Sequence, residues 1–256
     1  MARADDAGAG SPPESRAGPP PPAGRGWRRH LLPAALLLLA LPPALEAGRR
    51  LPASLVGVPA AALTATWKAS GADADWEAAL AARERQLAWF PDPVAQQRTA
   101  RLLLDRAVQV GGLAGTADPL LERAQALAEA SLSRAPADGR VWALLAHLSL
   151  LRGDDPFRTV DLLRTSILTN PADPGLAFWR VDLALRLRPY WDEALEDLLL
   201  EQFRLAFAWA EADFVTLALN RDALLTVQRA FPPGETQGRR FNKIAGDAVV
   251  GRLPPR

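Results

Sequence analysis

Pro136-Ala137-Asp138-Gly139 and Pro171-Ala172-Asp173-Pro174 are one turn written twice, 35 residues apart, and each closes an apolar segment of helix length. The residues ahead of the turns agree as well: Ser131-Leu132 precedes Pro136 as Ser166-Ile167 precedes Pro171. Proline cannot donate an amide hydrogen to the preceding helical turn and pushes the residue before it out of the helical region, so both prolines stop helices. The aspartate two positions on then caps the next helix. A period near 35 is the length of two helices and two short turns, a unit that buries its apolar face only by stacking on its neighbours. The alternative is an irregular helical bundle in which the turn happens to recur.

Ala124, Ala128, Ser131 and Pro136, followed by Trp142-x-x-Leu145-Ala146 and then Thr159, Leu163, Ser166 and Pro171, resemble the tetratricopeptide repeat. Two departures from that pattern occur: Trp142 to Pro171 is one residue too long, with the insertion placed at Gly153-Asp154-Asp155, and Ser149 stands where an aromatic is usual. The resemblance implies an all-α, tetratricopeptide-like α-solenoid of antiparallel helical hairpins, preceded by a disordered tract and one apolar targeting or anchor segment. Its matching positions are packing positions and carry no chemistry.

The outward reading toward the N-terminus begins with residues 1–29, which contain six Pro and five Gly and almost no large apolar side chain. Such a tract cannot offset the entropy of ordering, and disorder is expected. Arg25, Arg28 and Arg29 then precede Leu31–Leu45, an uncharged apolar run. Basic flank and apolar run together make residues 30–47 a signal-anchor or signal peptide. Fifteen residues suit a cleavable segment better than a span of about 20, yet Leu45 is a poor fit for cleavage after Ala47, so both outcomes stay open. The arginine excess before the run directs the rest of the chain out of the cytoplasm. Residues 48–74 read as a linker, 75–231 as the helical-repeat domain with about eight helices, and 232–256 as a mobile basic tail. Trp76, Leu80, Leu87 and Phe90, then Val94 to Val108, predict an N-terminal hairpin out of phase with the period.

Composition narrows function by exclusion. With 30 Lys+Arg against 29 Asp+Glu, the chain lacks the charge of an electrostatic nucleic-acid binder. No cysteine is present, which rules out disulfides, thiolate nucleophiles and cysteine-ligated zinc. Only His30 and His147 are histidines. Gly111-Gly112 with Gly115 lacks the lysine and strand of a phosphate loop. No catalytic, cofactor-binding or metal-ligating residues are assigned, and no cofactor is expected. The acid pairs Asp154-Asp155 and Asp192-Glu193 sit at helix starts, where acids cap amides. Trp76, Trp142, Trp179, Trp191 and Trp209 are expected in the core, with room for one of them to be exposed.

The tetratricopeptide resemblance places His147 on the concave side of a first helix, with Arg140 two turns before it and Asp182 one period later. A His147–Asp182 pair across that groove is conceivable, and Arg180, Arg186 and Arg188 could hold an acidic partner. The candidate groove is therefore Arg140, His147, Asp182 and Arg186, and its expected occupant is a protein. Basic tract, apolar segment and divergent array, with wording such as Leu163–Pro171, also resemble bacterial cell-envelope repeat proteins that accompany polysaccharide assembly or export. That likeness implies a non-catalytic scaffold, single-pass in the inner membrane with its body in the periplasm, or soluble there after cleavage near Ala47. The competing class is an all-helical envelope enzyme cleaving glycans through paired acids.

Overall fold

The computed structural model describes residues 28–111 and 118–252, without the side chains of many residues before Gly57. The Pro-rich tract up to residue 27 and most side chains of the Leu31–Leu45 run thus lie outside the described residues. All regular structure among the described residues is helical: α1 (Arg28–Ser70), α2 (Asp73–Trp89), α3 (Pro93–Gln109), α4 (Asp118–Leu132), α5 (Gly139–Arg152), α6 (Pro156–Thr169), α7 (Pro174–Arg186), α8 (Glu193–Trp209), α9 (Glu211–Asn220), α10 (Leu224–Gln228) and α11 (Thr236–Arg252). A single 3-10 turn, Arg188–Tyr190, joins α7 to α8.

The chain divides into two compact units, Met1–Leu51 and Pro52–Arg256. In the first, the described leucines 36, 38, 39, 41 and 45 are all exposed. Among the described residues no helix is long and apolar enough to cross a membrane.

In the second unit, aspartates start the helices as the turn chemistry requires. Asp92, Asp138, Asp155, Asp173 and Asp192 accept from the backbone N–H groups of Ala95, Arg140, Phe157, Leu176 and Leu195, which opens α3, α5, α6, α7 and α8. The helices then pack in pairs, α3 along α4, α5 along α6 and α7 along α8. The repeated serine ties two of these pairs shut. Ser131 Oγ donates to the Pro93 carbonyl at 2.9 Å, and Ser166 Oγ to the Gly139 carbonyl at 2.6 Å, so each second helix ends beside the first residue of its partner. Glycine is required at 139, because a Cβ there would stand 2.7 Å from Asn170 Cβ and 2.8 Å from the Ser166 carbonyl. Gly153 ends α5 in the left-handed region at φ 71°, with the Asp154 N–H reaching the Ser149 carbonyl at 3.0 Å. The Ser149 hydroxyl, in the place an aromatic would fill, lies 2.8 Å from that of Thr159 on α6.

Several expectations are revised. Residues 48–74 are helical to Ser70 rather than a linker, because Ala60, Leu63 and Trp67 recur at helical spacing and Trp67 is buried against Ala79 of α2 and Leu102 of α3. The α2–α3 pair does pack, Ala79 against Leu102, but α3 lies more extensively along α4, where Leu103, Leu104 and Ala107 share a core with Leu121, Ala124 and Ala128. Within the stretch read as a mobile tail, Thr236–Arg252 forms α11, and its Phe241, Ile244, Ala245 and Ala248 make an apolar stripe that packs on the C-terminal core. Phe231 and Phe241 stack there at 4.5 Å, with Phe207 and Phe214 set edge-on around them. Finally, Trp209 is not core but solvent-exposed at the end of α8.

Candidate functional site

The first helices of the three pairs share one side-chain register. Arg140, Leu144, His147 and Leu151 on α5 are spaced 4, 3 and 4 apart, as are Gln97, Arg101, Leu104 and Val108 on α3 and Gly175, Trp179, Asp182 and Arg186 on α7. That spacing puts each set on one helix face, and the three faces line a common groove made of two hollows. The larger, about 530 Å³, is lined by Gln97, Arg101, Arg140, Leu144, Asp173, Gly175, Leu176, Phe178, Trp179, Asp182 and, from α9, Leu217. The smaller, about 240 Å³, is lined by Arg101, Leu104, Asp105, Val108, His147, Leu151, Trp179 and Arg186. Arg101 and Trp179 belong to both and form the divide between them.

The four residues singled out in the sequence all reach this groove, Arg140 and Asp182 in the larger hollow and His147 and Arg186 in the smaller. The conceivable His147–Asp182 pair does not form. Asp182 is held by Arg221, just past the end of α9, whose Nε and Nη2 reach its Oδ1 at 3.0 and 2.6 Å, and by Arg186 at 2.9 Å, and it makes no hydrogen bond to His147. The His147 ring instead stacks on Trp179 at 5.2 Å and 24°, and its buried Nδ1 has no hydrogen-bond partner. Burial, with Arg186 and Arg101 adding repulsion, pushes the imidazole down from 6.5 to about 4, against the pull of Asp182 and Asp105. It is neutral at pH 7.

The remaining charges are arranged as pairs. Arg140 grips Asp173 through Nε and Nη2 at 3.0 and 2.7 Å, and Asp173 is also the cap of α7. Burial alone would raise the Asp173 carboxyl, but the hydrogen bonds from Arg140 and the Leu176 N–H, with the charges of Arg140 and Arg180, hold it below the usual carboxylate range. Arg101 pairs with Asp105 at 2.7 Å and lies 4.4 Å from the centre of the Trp179 ring. Lys68 at the end of α1 meets the other oxygen of Asp105 at 3.0 Å.

Arg180 and Arg188 do not join Arg186 in the groove. Arg180 is fully buried behind it, and Arg188 donates to the Asp222 carbonyl at 3.1 Å. Conversely, Gln97, Arg101, Phe178 and Trp179 were passed over in the sequence. Trp179, large and helix-spaced, reads as core in the sequence, yet it is half-buried with its ring forming groove wall. The signal for Arg101 was present: it stands where Leu144 and Trp179 stand on the other two helices, but the alignment of α3 with them requires a spacing of 43 residues instead of 35.

Chemically, the groove offers guanidinium donors, aromatic and aliphatic walls, and carboxylates already occupied by arginine. Among the described residues no three of His, Cys, Asp and Glu gather as metal ligands would. No family model matches the chain, and no curated protein matches it in sequence.

Proposed function

We propose that the body is a non-catalytic interaction module, a stack of antiparallel hairpins of tetratricopeptide type whose first-helix groove docks a segment of another protein. The observation that carries this reading is the common register of α3, α5 and α7, which turns three separate helices into one continuous lining of polar rims and apolar floor. A recurring face of that kind is how stacked helical units make extended binding surfaces. The carboxylates in the groove are tied to arginines, an arrangement suited to shaping a surface more than to shuttling protons. A displayed library of random dodecamer peptides, panned against the full-length chain in detergent, tests it. Selected peptides should crosslink to a photo-reactive side chain placed at Gln97 and not to one at Arg158 on α6. Peptides that crosslink only outside the groove would refute the docking role.

The second part of the proposal is location: the body held at a membrane on the exported side, in a bacterial envelope setting such as polysaccharide assembly or export. Support comes from the first unit, where Leu36, Leu38, Leu39, Leu41 and Leu45 are exposed and at 100° per residue spread around more than half of the helix circumference. Arg28-Arg29 and Arg49-Arg50 flank this stretch, and basic side chains at such ends can reach the interface. Membrane fractionation with N-terminal sequencing checks it. An intact N-terminus in the membrane fraction means an anchor, and a start at Gly48 in the soluble fraction means cleavage. An intact chain in the soluble cytoplasmic fraction would overturn the membrane role.

A further inference from the structure

The groove is balanced in formal charge but not in what it shows to solvent. The side chains of Arg140, Arg101 and Arg186 are 61%, 45% and 35% exposed, whereas their partners Asp173, Asp105 and Asp182 are only 17%, 19% and 17% exposed. Each guanidinium is thus held from beneath by a carboxylate and presents its unused donors outward. Among the described residues, no hydrogen bond occupies Nη1 or Nη2 of Arg101, Nη1 of Arg140, or Nε or Nη1 of Arg186. Arginines fixed this way lose little side-chain entropy on binding, and their forked donors match carboxylates.

We infer that the groove takes an extended acidic segment of a partner protein, with carboxylates toward both ends and an apolar side chain between them against Trp179. The inference rests on the docking reading above and names its occupant. The spacing follows from the helices. Arg140 lies in the first turn of α5 and Arg186 ends α7, in the first and fourth places of the shared register. Eleven residues along a helix give about 16 Å at 1.5 Å per residue, and one step between packed helices adds roughly 9 Å sideways. The resulting diagonal of about 19 Å is covered by about six residues of extended chain at 3.3 Å each. Arg101 and Trp179 lie between those ends, one supplying charge and the other an apolar face. A basic or metal-bearing occupant is disfavoured by the same arrangement, because Asp182 already serves two arginines and Asp105 serves Arg101 and Lys68.

The test is fluorescence anisotropy of two labelled hexapeptides, Asp-Glu-Leu-Phe-Asp-Glu and its neutral counterpart Asn-Gln-Leu-Phe-Asn-Gln, with the full-length chain in detergent. The acidic probe should bind at least about tenfold more tightly at low salt and lose most of that margin at 0.5 M salt. Arg140→Gln, Arg101→Gln and Arg186→Gln should each weaken it several-fold, while Arg158→Gln on the surface of α6 leaves it unchanged. Circular dichroism and melting of each variant show whether a loss of binding is a loss of fold, and a charge-retaining Arg140→Lys should recover part of the affinity. Equal binding of both probes in the groove would overturn the acidic preference and leave the docking role standing. Failure of the acidic probe to bind overturns the inference, while the peptide selection separately decides the docking role. Displacement of the acidic probe by an equal concentration of single-stranded oligonucleotide, or self-association that the three arginine variants abolish, would assign the groove to a nucleic acid or to a second copy and overturn it as well.

Discussion

Leu102 on α3, Leu145 on α5 and Arg180 on α7 occupy one place in the shared register, one residue beyond Arg101, Leu144 and Trp179, and all three are buried. Two are ordinary apolar contacts: Leu102 packs with Trp67 and Ala79, and Leu145 joins the core of α3, α4 and α5. The third is a guanidinium with no exposed surface, whose Nε donates to Ser166 Oγ at 2.9 Å and whose Nη1 donates to the Asn170 carbonyl at 2.8 Å and Gln202 Oε1 at 3.1 Å. Its Nη2 donates to the Ser166 carbonyl. Loss of solvation lowers it to about 10, against the pull of Asp173, and it stays protonated at neutral pH. One place in a shared helical register can therefore be filled by either chemistry, provided the buried charge finds acceptors. Here the acceptors are the end of α6, the turn after it and a glutamine of α8, so Arg180 joins two helix pairs where the leucines only fill space.

The sharpest way to break this comparison is to make the three places alike. Arg180→Leu should destabilise by about 3 kcal/mol and Arg180→Ala by about 4, because the Ser166 and Asn170 carbonyls and Gln202 lose their donor while remaining buried. Equal melting temperatures for Arg180→Leu and the unaltered chain would show that the place is simply apolar. At the other end of the body, Phe241→Ala should cost about 3–4 kcal/mol by opening a cavity beside Phe207, Phe214 and Phe231. Retention of the full denaturation midpoint would detach α11 from the core.

His147 provides a pH-dependent contrast. Its folded value of about 4 lies below its ordinary 6.5, so between those values the unfolded chain takes up a proton that the folded chain refuses. Its effect is nil above about pH 6.5, and stability is lost as pH falls from there toward 4, by up to about 3 kcal/mol. His147→Phe should flatten that part of the stability profile, and an unaltered slope would mean that His147 is solvated. Trp142→Ala should cost about 2–3 kcal/mol, less than a fully buried tryptophan, because the ring is half-buried and gives up its 2.7 Å Nε1 bond to the Pro136 carbonyl. The smallest expected effect sharpens the comparison most finely. Ser131→Ala removes one hydroxyl bond, about 1 kcal/mol, whereas Ser166→Ala also takes an acceptor from Arg180 and should cost about 2. Equal losses at the two serines would show that Arg180 gains nothing from the hydroxyl.

The helical class, the Pro-Asp punctuation and the place of the repeated serine were legible in the sequence because they depend on neighbours along the chain. Proline blocks a helix and aspartate caps one whatever lies across the groove. The groove itself was half legible: Arg140, His147, Asp182 and Arg186 follow from helical spacing once α5 and α7 are aligned by their turns. Arg101 and Trp179 did not follow, because α3 precedes α4 by a longer connection that breaks the period. Which partner each charge takes was beyond the sequence, since Asp182 finds Arg221 from the turn after α9, 39 residues away, and the His147 ring lies on the face of Trp179. Helix formation in α1 and α11 was hidden for a related reason. Their apolar stripes, Ala60-Leu63-Trp67 and Phe241-Ala245-Ala248, are short and set among polar or broken sequence, and they hold a helix only because a core is there to receive them. Arg180 is the extreme case: an arginine in a helix reads as surface, and only the meeting of α6, α7 and α8 supplies the acceptors that make its burial affordable.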